Sequence, residues 1–221
     1  MSKTVKVITV EKDVLRKNNE IAASNQAMFA RAGVTVINLL SSPGSGKTSL
    51  LEYLVPRLMR RFPVYVIEGD VDTPRDAERI MATGAQVVQV TTKGGCHLNA
   101  NMVEKAWHDL VTQDKTAGLL FVENVGNLVC PASFDLGETM KGVVLSVTEG
   151  EDKPIKYPKA FRLARFCVIN KTDLLPHLDF DLDQCRHYIR QVNPSIDIFE
   201  VSAKTSAGLD SLQDYFTALV P

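Results

Sequence analysis

The stretch Val34-Thr35-Val36-Ile37-Asn38-Leu39-Leu40-Ser41-Ser42-Pro43-Gly44-Ser45-Gly46-Lys47-Thr48-Ser49 decides the fold. An apolar, β-branched run reads as a strand, and it feeds a turn of small residues that opens a helix-like stretch through Leu50, Leu51 and Leu54. Such a turn is a phosphate loop. Consecutive backbone N–H groups turn inward around phosphate oxygens, and a Cβ at Gly44 or Gly46 would crowd the anion. Lys47 supplies a mobile positive charge to the β- and γ-phosphates, and the Thr48 hydroxyl is placed to ligate Mg²⁺. Gly44, Ser45, Gly46, Lys47, Thr48 and Ser49 are therefore the first nucleotide-binding candidates. The first glycine of the general G-x-x-x-x-G-K-[ST] pattern is Ser41 here, but the last six residues carry the geometry.

Working outward, residues from about Val10 to Gly33 alternate at helical spacing, with Val14, Ile21, Ala22, Met28 and Phe29 on one face. This predicts an amphipathic helical segment over residues 1–33 packed on a single larger domain over residues 34–221. Further strands are expected at 63–70, 86–91, 118–122, 143–147, 165–170 and 197–201, with helices between them, one opening at Thr73-Pro74-Arg75-Asp76 and one over 98–113. Alternating strands and helices imply an α/β fold with a mostly parallel sheet covered by helices on both faces. Ligands of such sheets bind beyond the carboxyl ends of the strands. Residues 149–154 read as a polar, proline-ended loop.

A chain of 221 residues has room for a substantial core, and 26 acidic against 25 basic residues leave a net charge of -1. No block of either sign points to nucleic acid or an anionic membrane as partner. The first thirty residues contain no uninterrupted apolar segment, so neither a signal peptide nor a spanning helix is read there, and a cytoplasmic protein is expected. Four scattered cysteines, Cys96, Cys130, Cys167 and Cys185, do not make a disulfide scaffold.

Two strand ends carry acids that can complete a magnesium site with Thr48: Asp70 and Glu123. The run Glu123-Asn124-Val125-Gly126 reads like a switch element in which an acid supports the magnesium shell and the Gly126 N–H touches the γ-phosphate. Lys47, Asp70, Glu123 and Gly126 are thus the catalytic candidates. The base is chosen by Asn170-Lys171-Thr172-Asp173. A carboxylate at Asp173 can accept from both N1–H and the 2-amino group of guanine, whereas adenine offers neither; Lys171 can lay its aliphatic stem over the ring. Ser202-Ala203-Lys204, at a later strand end, supplies a backbone N–H for the guanine carbonyl. The nucleotide is read as GTP.

Cys96 and His97 follow Lys93-Gly94-Gly95, and Cys130 lies four residues beyond Gly126. Adjacent side chains on a strand point to opposite faces, so Cys96 and His97 either share one ion in loop geometry or serve different sites. Thiolate and imidazole suit Zn²⁺ or Ni²⁺ rather than Mg²⁺. Three donors per chain leave a fourth position to water or a second copy, while small buried hydrophobes remain the ordinary alternative for cysteine. Cys167 sits within a strand and reads as core; Trp107, with Val103 and Leu110, reads as packing.

Taken together, these segments resemble the nickel-incorporation GTPases of hydrogenase maturation, the HypB family, over nearly the whole chain. The specific stretches are Gly95-Cys96-His97-Leu98 and Glu123-Asn124-Val125-Gly126-Asn127-Leu128-Val129-Cys130-Pro131; a Cys-Pro-His element, expected of the related urease GTPase, is absent. The resemblance implies a P-loop GTPase of the SIMIBI type with low turnover that dimerises with nucleotide. It implies Ni²⁺ or Zn²⁺ on Cys96, His97 and Cys130 between subunits. It also implies a small nickel metallochaperone as partner and delivery to the large-subunit precursor of a [NiFe]-hydrogenase. Lys153 is a candidate to reach nucleotide across the dimer. Residues 1–33 hold no Cys or His, so no N-terminal storage site for metal is expected there. The alternatives are a related GTPase chaperone for urease or a cobalamin enzyme and, from another class, a small-molecule kinase using the same phosphate loop.

Overall fold

A computed structural model describes residues 10–110 and 117–220. The chain begins with α1 (Val10–Ala32) and enters β1 (Val34–Ser41), α2 (Lys47–Leu58), β2 (Val64–Asp70), α3 (Arg75–Met81), β3 (Gln86–Thr91) and α4 (Ala100–Leu110). It continues through β4 (Gly118–Glu123), the single turn α5 (Cys130–Ser133), β5 (Met140–Ser146), and the short α6 (Lys153–Lys156) and α7 (Pro158–Leu163). After β6 (Ala164–Asn170) come a 3₁₀ turn (Thr172–His177), α8 (Leu182–Val192), β7 (Asp197–Glu200) and α9 (Leu209–Ala218). The sheet order is β3-β2-β4-β1-β5-β6-β7. Each neighbouring pair is parallel, so the sheet is more uniform than "mostly parallel". The expected end of the fourth helix, residues 111–113, lies outside the described residues.

Strand parity sorts the core into two faces, because successive side chains point to opposite sides. Ile37, Leu39, Leu119, Phe121, Val144 and Phe166 pack under α2, α3 and α9. On the other face, Val34, Val36, Leu120 and Val122 meet α1 and α4, while Val143, Leu145, Cys167 and Ile169 meet α7 and α8. Trp107 is a packing residue, buried edge-on against Phe29 and Tyr65 with ring centroids 5.4 Å apart in both pairs. Cys167 is core as read, and Cys185 is buried beside it on the same face; burial pushes the Cys185 thiol up to about 12, so neither is a reactive thiol.

Two expectations change in detail. The buried stripe of α1 is Asn18, Ala22, Asn25 and Phe29, whereas Val14 is 51 % exposed. The helical period is right, but polar amides at Asn18 and Asn25 alternate with the apolar Ala22 and Phe29 along the buried stripe, because backbone groups of neighbouring segments face them. Residues 149–152 form the expected polar loop, but Lys153 and Pro154 already belong to α6, and the Glu149 carboxylate accepts from the Ser146 N–H at 3.0 Å. Among the described residues no helix is long and apolar enough to cross a membrane.

Candidate nucleotide and metal site

Ser41, Asp70, Glu123 and Asn170 end β1, β2, β4 and β6, so one edge of the sheet gathers the residues read from separate motifs. The phosphate loop closes with Gly46 at φ +94°, a left-handed conformation that an L side chain resists, and a Cβ there would lie 2.6 Å from Asn170 Nδ2. Asn170 Nδ2 donates to the Ser45 carbonyl at 2.9 Å, and Lys171 Nζ donates to the Gly44 carbonyl at 2.6 Å. The Asn170–Asp173 segment is thereby clipped onto the phosphate loop. Lys47 Nζ donates to Ser41 Oγ at 2.6 Å, so the serine that replaces the first glycine of the general pattern holds the lysine. Lys153 Nζ reaches Ser42 Oγ of its own phosphate loop at 3.5 Å.

Beside the loop, a cleft of about 570 Å³ runs past Tyr53, Arg57, Lys171, Asp173, Ala203 and Lys204. It has the size and polarity for a base and ribose. Asp173 Oδ1 accepts from Ser202 Oγ at 2.5 Å, and the Ser202 N–H is spent on the Ala207 carbonyl. Ser202 is therefore a buried support for Asp173, while Ala203 and Lys204 line the cleft. The Ala203 N–H donates to Asn170 Oδ1 at 3.2 Å, which ties this loop to β6.

On the phosphate side, a cleft of about 480 Å³ holds Thr48, Ser49, Asp70, Glu123 and Gly126 together. Thr48 Oγ1 donates to Glu123 Oε1 at 2.9 Å. Asp70 Oδ1 accepts from the Asp72 and Thr73 N–H groups, both at 2.7 Å, and forms a cluster with Glu68 and Asp76 in which one ligand atom from each lies within 4.8 Å of the others. Glu68 and Asp76 were not singled out in the sequence. The signal for Glu68 was its position two residues before Asp70, on the same side of a strand. Asp76 had a weaker one, the first turn of α3; there Arg79 Nη1 bonds Asp76 at 3.0 Å and Nη2 bonds Ser49 Oγ at 3.0 Å.

Glu68 and Glu123 face each other across neighbouring strands, both are buried, and one Oε2 of each has no hydrogen-bond partner. Burial, then the Glu123 charge, raises the Glu68 carboxyl to about 8. Burial also raises Glu123, against the opposing pull of Lys47 and the Thr48 hydroxyl. Orphaned buried carboxylate oxygens at the end of a phosphate loop are a donor set suited to Mg²⁺.

The metal candidates converge. Ligand atoms of Cys96, His97 and Cys130 all lie within 4.8 Å of one another, and Cys96 Sγ is 3.5 Å from His97 Nδ1. Cys96 and His97 lie between β3 and α4 on a turn closed by the Gly95 N–H to the Thr92 carbonyl at 3.1 Å, so adjacent residues can share one ion. The hydrogen bond to Cys130 and then burial raise the Cys96 thiol, and burial lowers His97. Two thiols and a neutral imidazole fit a borderline-soft cation such as Zn²⁺ or Ni²⁺.

Hydrogen bonds from both backbone and side chains join this triad to the nucleotide cleft. Thr92 N–H donates to the Asp70 carbonyl at 2.9 Å, and the Leu98 N–H donates to Asn124 Oδ1 at 3.0 Å. Asn127 Nδ2 donates to the Cys96 carbonyl at 3.4 Å. Gly126 packs so closely on the phosphate loop that a Cβ would lie 2.9 Å from Pro43 Cα. The turn that bears Cys96 thus hangs from the two strand ends that bear Asp70 and Glu123.

Residues 34–200 match the family model described as CobW/HypB/UreG, nucleotide-binding domain. A hydrogenase maturation factor HypB from Azotobacter vinelandii is 55 % identical over 204 residues, covering 92 % of this chain and 67 % of that protein. The chain belongs to the HypB family. A crystal structure of HypB from Helicobacter pylori in complex with nickel shares 39 % identity at a TM-score of 0.85, covering 90 % of this chain and 93 % of that one. The signal recognition particle 54 kDa protein from Aeropyrum pernix, at 15 % identity and a TM-score of 0.59, matches 85 % of this chain and 50 % of its own and shares the fold alone. The expected SIMIBI-type P-loop architecture is therefore the one this HypB-family chain has.

Proposed function

We propose that the protein is a GTP-hydrolysing metallochaperone switch that binds Ni²⁺ or Zn²⁺ and assists nickel insertion into [NiFe]-hydrogenase. The observation that carries this reading is the suspension of a Cys96–His97–Cys130 triad, its ligand atoms within 4.8 Å, from the strand ends beside the phosphate loop.

In this reading residues 34–221 are the G domain, with α1 packed on it; residues 1–9 of the expected N-terminal segment over 1–33 lie outside the described residues. Gly44, Ser45, Gly46, Lys47, Thr48 and Ser49 wrap the phosphates; Asn170, Lys171, Asp173, Ser202, Ala203 and Lys204 form the guanine pocket, with Asn170 and Ser202 holding its walls. Thr48, Asp70 and Glu123 hold Mg²⁺, which neutralises charge on the β- and γ-phosphates when bound. Lys47 leaves Ser41 to reach the same oxygens. A γ-phosphate accepts from the Gly126 N–H, and because Gly126 is four residues from Cys130, that contact shifts a metal ligand. Nucleotide and metal affinities are then linked, reciprocally in free energy. Three donors leave the remaining coordination to water or to a second copy in a nucleotide-dependent homodimer. A small nickel metallochaperone supplies the metal and the hydrogenase large-subunit precursor receives it, in the cytoplasm, where cysteines stay reduced.

The test is a nickel titration of the purified protein with GDP and then with a non-hydrolysable GTP analogue, following affinity and molecular mass together. The expected result is a different affinity in the two states that tracks dimer formation. Cys96→Ala or Cys130→Ala is expected to weaken nickel binding by more than roughly tenfold, in line with the cost of disturbing a metal's ligand shell. Nickel binding that ignores both nucleotide and these cysteines would leave a GTPase whose cargo is not this metal.

A further inference from the structure

The three metal donors sit on two arms distant in sequence. Cys96 and His97 lead into the N-terminus of α4 at Ala100, and Cys130 opens α5, after which the chain continues through Phe134 to Asp135 and Leu136. Near the donors the arms touch directly: the Cys96 thiol meets Cys130, the His97 ring lies on Phe134 with centroids 3.9 Å apart, Asn127 reaches the Cys96 carbonyl at 3.4 Å, and the Leu98 N–H reaches Asn124 Oδ1 at 3.0 Å. Behind the site, both arms meet the same helix.

Asn18 and Asn25 lie two turns apart on the buried face of α1, 6 % and 0 % exposed. Asn18 Oδ1 accepts from the Ala100 N–H at 2.9 Å while its Nδ2 donates to the Asp135 carbonyl at 2.7 Å. Asn25 Nδ2 donates to the Ala100 carbonyl at 2.8 Å and to the Leu136 carbonyl at 3.0 Å. Each amide therefore bridges the same two arms: Asn18 with its oxygen on Ala100 and its nitrogen on Asp135, Asn25 with its Nδ2 shared between Ala100 and Leu136 while its Oδ1 is buried with no hydrogen-bond partner among the described residues. If these side chains only satisfied stray backbone groups, each could serve one arm; instead both span the pair and both converge on Ala100, three residues from His97. Gly137 seats the second arm against α1, since a Cβ there would lie 2.6 Å from the Ala22 carbonyl oxygen.

We infer that α1 is a brace for the metal site: Asn18 and Asn25 are positioning residues that set the separation between the arm bearing Cys96 and His97 and the arm bearing Cys130. Metal–ligand distances tolerate only about 0.2 Å of error, so donors on two arms bind well when their spacing is set beforehand. The arms can drift when the amides are lost, and the triad then assembles around the metal at the expense of affinity. The nucleotide clefts are not contacted by either asparagine and keep their function. This inference rests on the triad as the metal site, and its test separates the two.

Asn18→Ala and Asn25→Ala are compared with the wild type, with Cys96→Ala, and with Ile189→Val, a core change on the buried face of α8, away from α1 and the triad. Nickel affinity, the nickel–thiolate absorption band and GTP hydrolysis with Mg²⁺ but without nickel are measured on each folded protein. The expected result is nickel binding weakened roughly tenfold or more in both asparagine variants, with an altered absorption band, the range seen when groups that orient metal ligands are removed. Their GTP hydrolysis stays within about twofold of the wild type, and Ile189→Val keeps full nickel affinity, which separates positioning from general destabilisation. If Asn25→Ala does not fold, Asn18→Ser is read the same way. Wild-type nickel affinity and spectrum in folded asparagine variants, with nickel lost in Cys96→Ala, overturns the brace alone. Nickel retained by Cys96→Ala overturns the triad and the brace with it.

Discussion

Asp173→Asn is expected to weaken GTP binding by about a hundredfold or more without unfolding the protein. The carboxylate can accept from N1–H and the 2-amino group of guanine together, and hydrogen bonds to a charged group contribute roughly 1.5–3 kcal/mol each. An asparagine amide offers one acceptor and turns an N–H₂ toward a donor, so it both loses a bond and opposes the base. The fold should survive because the variant is isosteric and its Oδ1 can still accept from Ser202 Oγ, the 2.5 Å contact that fixes this side chain. Xanthosine triphosphate, which carries a carbonyl where guanine carries the amine, should regain much of the loss. Competition against a fluorescent guanine nucleotide measures all three. Equal affinities of wild type and variant for GTP would place the base elsewhere than the cleft between Tyr53 and Asp173.

Most of the sheet was legible because strands buried on both faces write themselves as continuous apolar runs, and the loops between them start with functional residues at strand ends. The phosphate loop, the guanine segment and the metal triad were each local motifs, and the structure brings each of them together as residues. What the sequence hid was contact at long range. Asn18 and Asn25 look like solvent-facing residues of an amphipathic helix, and their partners at Ala100, Asp135 and Leu136 are 75 to 117 positions away. Ser41 reads as a lost glycine until its hydroxyl is seen holding Lys47. Ser202 reads as a contact for the base, yet its N–H is committed to Ala207 and its hydroxyl to Asp173. Asn124 sits in a recognised motif, but no spacing rule reveals that it captures the Leu98 N–H beside the metal turn.

Glu68 is the strongest case of chemistry set by burial, and it carries the second large effect. In the metal-free, nucleotide-free protein its carboxyl titrates at about 8, against 4.5 for an ordinary glutamate. The folded state therefore holds a proton that the unfolded state has already released between pH 4.5 and 8. Stability falls as pH rises through that window, by about 4–5 kcal/mol in all at 1.36 kcal/mol per unit. Glu123, also raised by burial, bends the same curve in the same direction. Glu68→Gln cannot ionise, so its urea-unfolding free energy should decline much less between pH 5 and pH 9 and exceed that of the wild type by several kcal/mol at the alkaline end. Adding Mg²⁺ with nucleotide should shrink the difference, because a cation between the carboxylates favours their charged forms. Parallel curves for the two proteins would mean that Glu68 is already ionised in the free fold and that its neighbours, not bound magnesium, compensate its charge.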